Sequence, residues 1–226
     1  MASRTKLTDT ATLELYRVAL ENAETQPENA ETQPEIAAIM ADLGYDSVVI
    51  AEGKALLTKT RTAYDANKTE DDETSAAYAD FSSKKEQLED TFNTHRKKAK
   101  VVFRNDSLIA DKLAISGVMP RTYIKWLEAA KKFYSVASAD SAIQGKLARL
   151  KISVDDLTAA NTLISGLEAA RAIYLKEKGE SQDATKIKDA AFAKIDDWMS
   201  EFYAVAKIGL EDNPQLLEAL GKTVRS

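Results

Sequence analysis

The chain has no cysteine, a single histidine, 8 glycines and 4 prolines in 226 residues. The missing cysteines exclude disulfides, thiolate nucleophiles, cysteine-bound zinc and iron–sulfur clusters together. The lone histidine excludes a ferritin-like dimetal centre, which needs a Glu-x-x-His pair on each of two helices. Phe92, not a glutamate, stands three residues before His95. Scarce glycine also leaves no phosphate-cradling loop and no nucleophile elbow: Gly-x-x-x-x-Gly-Lys, Gly-x-Gly-x-x-Gly and Gly-x-Ser-x-Gly are all absent.

Long hydrophobic runs are missing too. Stretches such as Val48–Ala51 fall far below the roughly 20 apolar residues of a membrane span. The first residues, Met1 to Asp9, carry no apolar core of signal-peptide length. These features, with the absence of cysteine, lead us to expect a soluble, cytoplasmic protein without a membrane partner. The net charge of −5 argues against nucleic acid as a partner, because nucleic-acid binders usually show a basic excess. Charge is uneven along the chain. Residues 1–117 hold 15 basic and 21 acidic residues, net −6; residues 118–226 hold 16 and 15, net +1.

What the chain has in abundance is helix formers. There are 36 alanines, with leucine, lysine and glutamate throughout. No segment alternates apolar and polar residues between turn signals, so no strand is expected. The spacing predicts helices near 9–23, 34–43, 46–66, 70–104, 108–115, 122–137, 141–150, 153–178, 182–210 and 215–220. Thr32 is read as an N-cap, and Ser153 with Asp156 as a capping box using aspartate for the usual glutamate. Asn67-Lys68-Thr69 and Gly179-Glu180-Ser181 are read as turns. The acidic run Glu70 to Glu73 would then open a helix, matching its dipole, and the basic residues from Arg96 to Arg104 would close it.

The halves resemble each other. At an offset of 107, Ile36, Met40 and Leu43 align with Ile143, Leu147 and Leu150, and Ala99, Val101 and Phe103 align with Ala206, Ile208 and Leu210. Between these blocks an offset of 110 pairs Leu57, Arg61 and Tyr64 with Leu167, Arg171 and Tyr174. We therefore expect one all-α domain over 1–226 built from two internal repeats, about 9–116 and 120–221. Two helical hairpins would form a pseudo-twofold, up-and-down four-helix bundle with short flanking helices. A second repeat is local: Asn22–Glu28 recurs unchanged as Asn29–Glu35, a tandem seven-residue duplication read as a surface-loop insertion.

Chemical candidates are few. His95 falls on the stripe of Leu88, Phe92 and Ala99 and reads as a core histidine. The carboxylates of Asp65 to Glu73 resemble a calcium loop, but Glu70 stands where glycine is needed and Ala76 where the bidentate glutamate is needed. Glu89-Asp90 and Asp196-Asp197 read as solvated face residues, since neighbours on a helix point apart. Tyr16, Tyr45 and Tyr123 are candidates for a subunit contact. The strongest electrostatic candidate for a partner contact is the basic stripe Arg96, Lys97, Lys100 and Arg104. No catalytic or metal-binding residue and no cofactor is assigned. The expectation is a non-enzymatic structural or interaction protein that self-associates or binds a protein partner. The alternative is a helical bundle holding a small ligand or cofactor, with an enzymatic role through it.

Overall fold

The computed structural model describes residues 7–24 and 34–222. All regular structure among these is helical: α1 (Asp9–Asn22), α2 (Pro34–Asp42), α3 (Ser47–Val102), α4 (Ser107–Lys112), α5 (Tyr123–Ala139), α6 (Ser141–Ala148), α7 (Val154–Gly209) and α8 (Leu216–Ala219). No described helix is long and apolar enough to cross a membrane. The Thr32 cap and most of the 22–35 duplication lie outside the described residues.

Capping chemistry sets several starts. The Thr8 hydroxyl accepts from the Ala11 amide, the Asp46 carboxylate from Val48 and Val49, and the Asp140 carboxylate from Ala142 and Ile143. At α7 the expected capping box is present. The Asp156 amide donates to Ser153 Oγ at 3.1 Å, and the Ser153 amide donates to Asp156 Oδ2 at 2.8 Å.

The largest departure from the sequence reading concerns the two expected turns. Instead of four long helices there are two, α3 and α7, each of 56 residues. Asn67, Lys68 and Thr69 lie inside α3, and Gly179, Glu180 and Ser181 lie inside α7. Asn67, Thr69, Gly179 and Ser181 are weak helix formers, by up to about 1 kcal/mol each. Local preference yields to side-chain bonding. Asn67 is buried and donates from Nδ2 to Thr185 Oγ1 at 3.1 Å, while Thr69 returns its hydroxyl to the Asp65 carbonyl at 3.2 Å. The run Glu70 to Glu73 is thus mid-helix, with no N-terminus there for it to match, and the carboxylates from Asp65 to Glu73 lie on continuous helix, not in a loop.

The chain divides into two compact units, and neither is a sequence half. Unit 1 comprises 1–70 and 180–226; unit 2 comprises 71–179. Each long helix contributes a segment to both.

Unit 1 contains α1, α2, the first segment of α3, the second of α7, and α8. Its core gathers Leu20, Ile36, Met40, Ile50, Ile195, Met199, Phe202 and Leu220, all fully buried. The α3 and α7 segments run antiparallel. Gly53 sits where a Cβ would stand only 2.6 Å from the Trp198 ring. One α-helical heptad on, the Thr60 hydroxyl reaches both its own Leu56 carbonyl (2.9 Å) and the Ala191 carbonyl across the seam (3.2 Å). Asn67 and Thr185 follow. The missing side chain at Gly53 lets the indole lie against the α3 backbone, stacked on Phe202 at 5.6 Å and edge-on to Tyr45 at 5.6 Å. At the far side, Asn22 Nδ2 donates to the Ala219 carbonyl at 2.7 Å, tying α1 to α8.

Unit 2 contains the second segment of α3, α4, α5, α6 and the first segment of α7. Its core centres on Leu88, Phe92, Phe133, Tyr134, Leu147 and Leu167. Phe92 packs on Phe133 and Tyr134, with ring centroids at 5.7 and 6.0 Å. A second aromatic group links Phe81 to Tyr123 and Tyr174, with the Arg171 guanidinium 4.6 Å above the Tyr123 ring.

Candidate interaction surface

The basic stripe of the sequence resolves into two different jobs. Arg96 is buried, 8% exposed, because α3 turns it inward beneath the segment that follows α4. Its Nη2 donates to the carbonyls of Ile115 (3.1 Å), Ser116 (3.4 Å) and Gly117 (3.0 Å). Lys100 Nζ donates to the same Gly117 carbonyl at 2.7 Å. These two cations hold the connection between α4 and α5, where Gly117 adopts a left-handed φ of +68°. Burial lowers the Arg96 pKa, yet a guanidinium stays charged at any ordinary pH. Lys97 and Arg104 are exposed.

Arg104 belongs to a surface the sequence did not single out. Where α3 ends and α6 turns into α7, Val101, Val102, Arg104, Asn105, Arg149 and Leu150 line an open cleft of about 420 Å³. Val101 is 61% exposed, and Leu150 and the neighbouring Leu108 also face solvent. Two arginines and two exposed aliphatic side chains thus share one tip of unit 2. Arg149 and Leu150 carried no signal alone; only the fold of α6 brings them beside Arg104.

Unit 1 has a tip of similar design. Leu43 packs its side chain over Gly209, where an added Cβ would lie 2.6 Å from Leu43 Cδ1. The adjoining Ile208 is 69% exposed and Leu43 42%. Close to them in the chain, Asp42, Glu211 and Asp212 are exposed. Asp212 also lines an open cleft with Glu35, Asn213, Pro214, Gln215 and Leu216.

The remaining candidates have structural roles. His95 is 8% exposed and its Nδ1 lies 3.0 Å from the Tyr134 hydroxyl. Burial pushes its pKa below the usual imidazole range; Lys98 acts in the same direction and Asp156 opposes. A depressed folded-state pKa means the unfolded chain binds the proton first. His95 therefore contributes stability that is complete above about pH 6.5 and is lost as pH falls below it. The thermal midpoint is expected to drop between about pH 7.5 and 5.5, and His95→Gln, which keeps a hydrogen-bonding group for Tyr134, is expected to shrink that drop. Calorimetry at both pH values checks this.

Asp196 accepts from the Tyr16 hydroxyl at 2.8 Å, and Glu89 pairs with Lys85 at 2.9 Å. Tyr45 is 8% exposed within the unit 1 core. Tyr123 is half-buried against Phe81 and Trp126 in unit 2. These tyrosines bond or pack inside their own units. A scan against protein-family models, a search of curated proteins and a search of solved structures each find no match.

Proposed function

We propose that this chain is a non-enzymatic structural protein that works by self-association. The observation that carries the reading is the pair of tips, where Val101 and Leu150 on unit 2 and Ile208 and Leu43 on unit 1 leave aliphatic side chains exposed beside clustered charge. Single exposed aliphatics are ordinary, but grouped ones rimmed by charge mark a contact surface. The chemistry-bearing residues support the same reading, since His95, Arg96, Asp196 and Glu89 are each occupied by packing or bonding inside a unit. The cysteine-free composition fits a reducing cytoplasm.

The proposal includes an internal duplication. Helices α3 and α7 have equal length and begin 107 residues apart. Burial repeats at that spacing: Ile50 and Leu157, Thr60 and Leu167, Leu88 and Ile195, Ala99 and Ala206 are all buried. Along α1 and into the first copy of the seven-residue duplication the spacing becomes 114, pairing buried Leu13, Leu20 and Ala23 with Leu127, Tyr134 and Ala137. The starts of α1 and α2 are 25 residues apart, those of α5 and α6 only 18, and the difference is one Asn-Ala-Glu-Thr-Gln-Pro-Glu copy.

The alternative is a small-ligand bundle. Its best support is a cleft of about 320 Å³ between α1 and α3, lined by Leu13, Arg17, Leu57 and Arg61 among others. Both guanidiniums there are already paired, Arg17 with Glu14 and Glu21, and Arg61 with Asp65. Native mass spectrometry separates the readings. Multiples of the 24.8 kDa chain mass without a retained small molecule support self-association. A monomer carrying one stoichiometric ligand would replace it with the alternative.

A further inference from the structure

The two tips differ in charge at matching positions. Counting 107 residues along, exposed Val101 corresponds to exposed Ile208, and Leu43 to Leu150, so the aliphatic pair is the same on each unit. Beside that pair Arg104 corresponds to Glu211, Arg149 to Asp42, and Asn105 to Asp212, all exposed. The units as wholes follow suit. Unit 1 holds 13 basic and 21 acidic residues, net −8; unit 2 holds 18 and 15, net +3; together these make the chain's −5.

From this complementarity we propose that the Val101–Leu150 tip of unit 2 docks onto the Leu43–Ile208 tip of unit 1 of a second copy of the chain. The proposal rests on the self-association reading and names its surfaces. Aliphatic meets aliphatic at the centre, and Arg104 and Arg149 of one copy face Glu211, Asp212 and Asp42 of the other. Two like tips would bring like charges together, which opposes association in a desolvated contact. The sign reversal therefore selects the unlike pairing. Such a contact joins unlike surfaces, and each copy offers one tip of each kind.

The opposing charges nearby do not cancel the pattern. Asp106 caps the Ile109 amide and lies 3.7 Å from Lys146, and Asp111 accepts from Ser116 at 2.5 Å. On the acidic side, Lys207 precedes Ile208 in α7 and is outnumbered by Asp42, Glu211 and Asp212.

Two doubly substituted full-length chains test this by sedimentation velocity. One carries Arg104→Glu with Arg149→Asp, so both of its tips are acidic. The other carries Asp42→Arg with Glu211→Arg, so both are basic. All four positions are exposed, and circular dichroism and melting temperature are expected to match the unsubstituted chain. Each variant alone is expected to associate at least about tenfold more weakly than the unsubstituted chain, and an equimolar mixture to regain association. An unsubstituted chain that associates while the variants behave like it would overturn these surfaces and leave self-association standing. A mixture that stays as weak as its components would also overturn them. An unsubstituted chain that never associates would overturn both proposals.

Discussion

Proline in place of Lys68 is expected to destabilise the protein by about 3 kcal/mol or more. Lys68 is exposed, so nothing is lost from its side chain. The whole effect comes from the backbone: the missing N–H and the clash of the ring with the carbonyl one turn earlier, in the middle of α3. Were 67–69 a hairpin turn, proline would be nearly neutral there, because turns accept its fixed φ. Lys68→Ala is the control and is expected to change stability by no more than about 0.5 kcal/mol. Chemical denaturation of the three proteins reads the difference.

Phe202→Ala is expected to cost unit 1 about 3–5 kcal/mol. The ring is fully buried and makes close aromatic contacts with Tyr45, Trp198 and Tyr203, at 5.5, 5.6 and 5.4 Å. Truncation removes the side chain's own burial and leaves the Trp198 indole without its stacking partner, while Gly53 offers no side chain to fill the gap. The two tryptophans make the effect readable by unit, since Trp198 belongs to unit 1 and Trp126 to unit 2. In a Trp126→Phe background, the urea transition followed by Trp198 fluorescence is expected to shift by that amount. A shift under 1 kcal/mol would mean that the unit 1 core is not packed around Phe202.

Much of the helical content was legible in the sequence. Alanine-rich stretches, scarce glycine and the spacing of apolar residues placed α1, α2, α5 and α6 to within about three residues, and the Ser153–Asp156 capping box placed the start of α7. The continuity of α3 and α7 was not legible. Asn67-Lys68-Thr69 and the Gly179 segment have turn-like local preferences, and Asn67 is instead buried and bonded to Thr185, 118 residues away in the chain. That one difference changed several readings. The 110 offset serves to absorb the two expected turns, and the structure has no turn at either place. The same difference also hid the charge separation. Splitting the chain at residue 117 gives −6 and +1, while the folded units give −8 and +3, because each long helix delivers its two segments to different units.

The candidate surface was half legible. The stripe Arg96, Lys97, Lys100 and Arg104 was visible as charge at helical spacing. Its division was not, because the carbonyls that take Arg96 and Lys100 belong to residues 115–117, beyond α4. Arg149 and Leu150 lie some 45 residues from Arg104 and meet it only through the packing of α6 in unit 2. The exposed acidic residues beside Leu43 and Ile208 were not singled out in the sequence, because Asp42 and Glu211 lie far apart in the chain.

Self-association is the claim on which the functional reading depends, and light scattering across concentration tests it most directly. The mass of the unsubstituted protein is expected to rise above 24.8 kDa with concentration at low ionic strength, and the rise to weaken as salt screens the charged tips. A mass that stays at one chain over the whole concentration range, at low and high salt alike, would contradict it.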